Sequence, residues 1–126
     1  MFTHVMVGAN DVEKSRKFYT AVLGTIGHES QQYGDHTFFS DGNTGFGVGR
    51  PANGEAANHA NGGTIGFKAK TTAEVDAFHA AGLVSGGTCD GAPGVRDTVP
   101  GKPYGAYLRD PDGNKICAFT PNPDAG

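Results

Sequence analysis

The second half of this chain repeats the first, and that repetition restricts the fold more than any other feature. Displaced by about 60 residues, Phe18-Tyr19 falls on Phe78-His79, and His4-Val5 falls on Thr64-Ile65. With one further residue of displacement, Asn10 and Glu13 fall on Thr71 and Glu74. Two unrelated helices can share a cap by chance. They do not also share the order of strand, cap, aromatic pair and following extended segments. The reading is therefore a duplicated βαβββ unit, which makes an α+β protein.

The first copy opens with an alternating strand at 2–8. Asn10 is the expected helix cap, with Glu13 as capping-box partner. Val12, Tyr19, Val22 and Leu23 mark a buried stripe, and Gly24 or Gly27 ends the helix. Extended segments follow at 28–33, 36–40 and 45–50, punctuated by Gly34-Asp35 and Asp41-Gly42-Asn43. Residues 51–62 contain no large apolar side chain and read as a linker or surface loop. The second copy begins with a strand at 64–69 and the cap signature Thr71 to Glu74. Val75, Phe78, His79, Gly82 and Leu83 form its stripe, and Gly86-Gly87 stops it. Residues 88–100 are Gly/Pro-rich and loop-like, with room for one weak strand. A strand at 104–109, a turn at Asp110-Pro111-Asp112-Gly113, a last strand at 114–120 and a polar tail at 121–126 complete the chain. This gives one domain, 1–126, with module one at 1–50, a linker at 51–62 and module two at 63–121.

Length and charge narrow the function classes. A chain of 126 residues suits one domain. The 21 glycines, without a collagen-like period, fit many short strands joined by tight turns. Net charge is -3 and no Lys/Arg run occurs, which argues against nucleic acid as a partner. No apolar stretch reaches the length of a membrane span. The opening lacks the basic-then-apolar layout of a leader, so cytoplasmic residence is expected. Two cysteines, Cys89 and Cys117, do not make a disulfide framework, and free thiols are the simpler reading.

Three stretches carry a family resemblance: the strand Phe2-Thr3-His4-Val5-Met6-Val7, the helix from Asp11 through Phe18-Tyr19 into Val22-Leu23-Gly24, and the closing Tyr107-Leu108-Arg109-Asp110-Pro111-Asp112-Gly113-Asn114-Lys115-Ile116. Together they resemble the vicinal oxygen chelate superfamily, which includes glyoxalase I, bleomycin resistance proteins and extradiol dioxygenases. The likeness covers nearly the whole chain. It implies two tandem βαβββ modules whose sheets curl into half-barrels around a cleft, within one chain or across a homodimer. Members include thiol transferases, epimerases and metal-free drug-binding proteins, so the fold does not select a reaction.

The resemblance also implies where a divalent metal is held. The four ligand positions fall on His4, Gly47, Thr64 and Cys117. Glycine offers no donor and a neutral threonine hydroxyl is a poor one, so only His4 and Cys117 are competent metal ligands. No tightly bound cofactor is expected. The chain then reads as a glyoxalase/bleomycin-resistance-like protein that acts on or binds a small molecule in the inter-module cleft. The alternative is a true metal-dependent lyase or isomerase, or a thiol transferase, of the glyoxalase I type. An active enzyme would be a lyase resembling lactoylglutathione lyase.

His4 is the candidate catalytic group, as metal ligand or general base; a hydrogen-bonded histidine on a half-buried strand gives the same pattern. Cys117 is a candidate ligand or nucleophile, or a small buried side chain. Candidate ligand-binding residues are Phe46, Thr64, Arg96, Tyr104 and Tyr107. Arg96 offers a fork of donors for a carboxylate or phosphate. Strand alternation puts Tyr104 and Tyr107 on opposite faces, so one of them faces the concave side. Phe38 and Phe67 are further candidate walls. Glu55 and His59 are candidates to cover the cleft from the linker, and His79 is expected to be a satisfied, partly buried residue.

Overall fold

Both copies of the repeat form a strand, a helix and three further strands. The computed structural model describes residues 1–122; the end of the polar tail, 123–126, lies outside them. The first module comprises β1 (His4–Gly8), α1 (Val12–Gly24), β2 (Gln31–Tyr33), β3 (His36–Ser40) and β4 (Gly45–Gly49). The second comprises β5 (Ile65–Lys68), α2 (Thr72–Val84), β6 (Thr88–Val95), β7 (Tyr104–Arg109) and β8 (Lys115–Thr120). The sheets have matching orders, β1-β4-β3-β2 and β5-β8-β7-β6. In each, the first strand pairs parallel with the last, and the other neighbours are antiparallel.

The helix starts differ from the sequence reading in one module. In α1 the cap is Asp11, whose carboxylate accepts from the Lys14 backbone N–H at 3.1 Å. Asn10 sits one residue too early. Its amide instead grips the linker, accepting from Ala57 N at 2.7 Å and donating to Ala57 O at 3.1 Å. Glu13 pairs with Arg16 on the next turn and does not close a capping box. In α2 the expected cap is present. Thr71 accepts from Glu74 N at 3.1 Å, while the Glu74 carboxylate reaches back to Lys70 N at 2.7 Å.

The α1 stripe buries Ser15, Phe18, Tyr19, Val22 and Leu23, whereas Val12 is only half-buried. The α2 stripe buries Val75, Phe78, His79 and Gly82, but Leu83 points outward at 46 % exposure. Gly82 explains the spacing. A Cβ there would collide with Leu108 of β7, so helix and strand touch at the glycine and the next residue turns away.

The segment 88–100, read as loop-like with room for one weak strand, does hold a strand, the eight-residue β6 over its first part. It lies at the edge of its sheet and pairs only with β7. An edge needs hydrogen bonds on one side only, so Pro93 is tolerated. Two register shifts, at Cys89/Gly91 and Gly91/Gly94, absorb the glycines as bulges.

The core is shared by the two modules. The Phe46 ring lies 4.9 Å from Tyr19 and 5.1 Å from Phe67, and Phe67 lies 6.3 Å from Phe78. This aromatic chain runs from under one helix to under the other, beside direct α1–α2 packing. The β7–β8 turn adds a polar tie. Asp110 is buried and accepts from Tyr19 Oη at 2.6 Å, Asn114 Nδ2 at 2.8 Å, and the backbone N–H groups of Asp112 and Asn114, each at 2.9 Å. Asp112 in turn accepts from Ser15 Oγ at 3.1 Å. A turn of module two is therefore built into module one. Gly113 takes φ +89°, a conformation that glycine reaches without strain. The sheets are not closed, and the face of each that is turned away from its helix stays open.

Candidate functional site

Alternation along each strand decides which side chains reach the open faces. On β4, Phe46 and Val48 point into the core, and the three glycines point outward. A Cβ at Gly47 would collide with Met6 and Phe38, whose side chains already fill that place. The open face of the first sheet therefore carries His4 and Met6 from β1, and His36 and Phe38 from β3. His36 stacks on Phe38 at 6.0 Å, and Tyr33 meets Phe38 edge-on at 5.6 Å. His4 is exposed, with Nδ1 2.9 Å from Thr3 Oγ1.

The open face of the second sheet bears a hollow of about 480 Å³, walled by Thr64, Lys68, Val99, Tyr107, Cys117 and Phe119. Tyr107 is its centre. Phe119 meets its ring edge-on at 5.6 Å, Lys115 Nζ lies 4.8 Å from the ring centre, and the Arg96 guanidinium lies 5.3 Å from it. Arg96 Nη2 donates to Ala92 O at 2.6 Å, while Arg96 Nε is buried without a partner among the described residues. Asp90, from the bulged edge strand, accepts from Arg109 Nε at 3.0 Å and sits 3.6 Å from Lys115 Nζ. One carboxylate thus serves two of the cations, while Lys68 in the hollow's wall and Arg96 over the Tyr107 ring have no acid partner among the described residues.

Of the residues singled out from sequence, the fold brings Thr64, Arg96, Tyr107 and Cys117 together. It leaves three elsewhere. Phe46 is core, 5 % exposed and packed against aromatic rings of both modules. Tyr104 turns to the helix side, where its hydroxyl donates to Asp76 of α2 at 2.6 Å. His4 lies on the other sheet. Phe67 does line part of the hollow, as expected, while its half-buried ring packs against Phe46 and Phe78 of the core. Glu55 accepts from Asn53 Nδ2 in the linker, and His59 lies over Gly113, covering the Asp110 turn and not the hollow. Lys68, Val99, Lys115 and Phe119 were missed. Period-two extension from Thr64 and Cys117 reaches Lys68, Lys115 and Phe119; nothing local marks Val99.

A family model described as the Glyoxalase/Bleomycin resistance protein/Dioxygenase superfamily matches residues 1–118. The chain belongs to this superfamily. A solved glyoxalase/bleomycin resistance protein from Albidiferax ferrireducens is 51% identical, with a TM-score of 0.88 over 95% of this chain and 98% of that one. A lactoylglutathione lyase from Agrobacterium tumefaciens is 22% identical, with a TM-score of 0.66 over 95% and 92% of the two chains. A fosfomycin resistance protein from Mesorhizobium loti is 16% identical, with a TM-score of 0.68 over 98% and 93%. These two share the fold. Comparison with functionally curated proteins gave no match.

Superfamily enzymes are often metal-dependent, and the residues here do not fit that group. Gly47 offers no donor, and Met6 and Phe38 occupy the space a longer side chain would need. Thr64 offers a neutral hydroxyl. Burial pushes the Cys117 thiol up to about 11 against the opposing charges of Lys115 and Arg96, so it is protonated at neutral pH. A thiol must lose its proton to ligate. Among the described residues no three His, Cys, Asp or Glu side chains cluster as a metal site.

The raised thiol has a consequence for stability. The ordinary value is 9.0 and the folded value is about 11, so the folded state keeps a proton that the unfolded chain gives up. Stability is full below pH about 9 and declines as pH rises toward about 11. The Tyr19 hydroxyl acts in the same direction at higher pH, because burial and then the Asp110 charge raise it. Urea midpoints at pH 8 and pH 10 should fall in the parent protein and fall less in Cys117→Ala.

Proposed function

We propose that the protein binds a small planar aromatic molecule carrying an anionic group, in the hollow on its second sheet, without a tightly bound metal. The observation that carries this reading is the Tyr107 ring, with Arg96 and Lys115 against it in a wall of Phe119, Val99 and Lys68. The rings supply stacking surface, and the cations supply the partner for a carboxylate, sulfonate or phosphate. The protein acts as a homodimer in this reading. Phe2, Met6 and Tyr33 are exposed apolar side chains of the first module, at 63%, 40% and 61%. A second copy laid on the open face would cover such surface and bring a histidine at position 4 toward the hollow, where it would serve as the candidate base. The two free thiols suit a reducing cytoplasm.

Titration of the purified protein with a fluorescent aromatic sulfonate tests the reading. Saturable binding is expected, unchanged after chelator treatment. Tyr107→Ala should weaken it roughly tenfold or more, the size of a lost stacking and cation–π contact. Stoichiometric divalent metal that binding requires would instead support the metal-dependent lyase or thiol transferase. Light scattering that finds only monomers would remove the dimer from the reading.

A further inference from the structure

A thiol–imidazole pair lies on the other side of the second sheet. Cys89 Sγ is 3.1 Å from His79 Nε2. Cys89 pairs with Leu108, so it faces α2 and not the hollow. It is exposed because β6 is an edge strand, whereas His79 lies on the buried stripe of α2 at 8 % exposure. The register shift immediately after Cys89 lets the strand bend where the thiol meets the helix. Burial, and then the charge of Arg96, hold the His79 imidazole below its ordinary value, while Asp76, one turn earlier on α2, opposes them. Asp76 is itself held by the Tyr104 hydroxyl. At neutral pH the ring is uncharged, and in the tautomer protonated at Nδ1 its Nε2 accepts the thiol proton.

We propose that Cys89 is a modification site, a thiol activated by His79 for exchange with low-molecular-weight disulfides. The Cys89 proton passes to His79 Nε2, and the sulfur attacks one sulfur of the disulfide R–S–S–R. A Cys89–S–S–R bond forms as the reagent's own S–S bond breaks. The leaving thiolate departs with the electron pair and takes the proton back from His79. Cys89 is oxidised and half of the reagent is reduced to a thiol. Cys117 does not compete, because it is buried and protonated.

The test is the rate of reaction of the intact protein with a chromogenic aromatic disulfide, with the modified residue identified by peptide mass mapping. Cys89 should be the fast site, at least roughly tenfold faster at pH 7 than the same cysteine in the urea-unfolded chain. Its rate should stay within about twofold between pH 7 and pH 8, where an unassisted thiol of ordinary acidity gains several-fold. His79→Gln should bring a folded protein to the unassisted rate and pH profile. If that variant does not fold, the pH profile of the parent protein decides. A Cys89 that reacts no faster than in the unfolded chain, or whose rate follows the unassisted profile, overturns the proposal, as does a folded His79→Gln with an unchanged rate.

Discussion

Asp110→Ala is expected to lower the stability of the folded protein by about 3–5 kcal/mol, the size seen when one member of a buried polar network is removed. The carboxylate accepts four hydrogen bonds, from Tyr19, Asn114 and two backbone N–H groups. Alanine leaves the Tyr19 hydroxyl without its acceptor in a place water does not reach. It also frees the turn that Asp112 fastens to Ser15. In a chain of this length the loss should lower Tm by roughly 10–20 °C. Tyr19→Phe takes away one of the carboxylate's four donors and leaves the other three in place, so it should cost only about 1–2 kcal/mol. Urea denaturation of both variants checks the ranking; an Asp110→Ala protein within 1 kcal/mol of the parent (about one hydrogen bond's net worth) would contradict it.

Phe46→Ala is expected to cost about 3–5 kcal/mol as well, by leaving a cavity where the modules meet. Its ring touches Tyr19 and Phe39 of its own module and Phe67 of the other. Because the core is continuous, the variant should still unfold in one transition. Below that transition it should bind the aromatic sulfonate within about twofold of the parent, since the lost ring's area was core surface and not hollow surface. Calorimetry and the fluorescence titration check both halves. Loss of affinity in a folded Phe46→Ala would put that ring in the ligand's path.

The duplicated plan was legible because periodicity and turn chemistry are local. Thr71 and Glu74 announced α2, and Asp110 to Gly113 announced the last turn. Asn10 was misplaced by one residue because Asn and Asp are equally good caps, and only the distant Ala57 chose between them. β6 was obscured by its glycines and Pro93, which an edge with bulges accommodates and a central strand would not. At the site, alternation required one tyrosine to face the open side but did not say which; pairing with Asp76 settled that it is Tyr107 and not Tyr104. Phe46 shows the limit most clearly. It reads as a candidate ligand contact, but the side of the sheet that α1 covers is a tertiary fact, and Phe46 lies on that side.

Among the described residues, strand pairing does not cross from one module to the other. The longest-range ladders, β1 with β4 and β5 with β8, join residues no more than about fifty positions apart, so closing either loop costs little more entropy than closing a far shorter one. Each sheet finds all of its strand partners within its own stretch of polypeptide. A nascent chain can therefore assemble its first sheet while the ribosome still holds the second, leaving the aromatic bridge to form last.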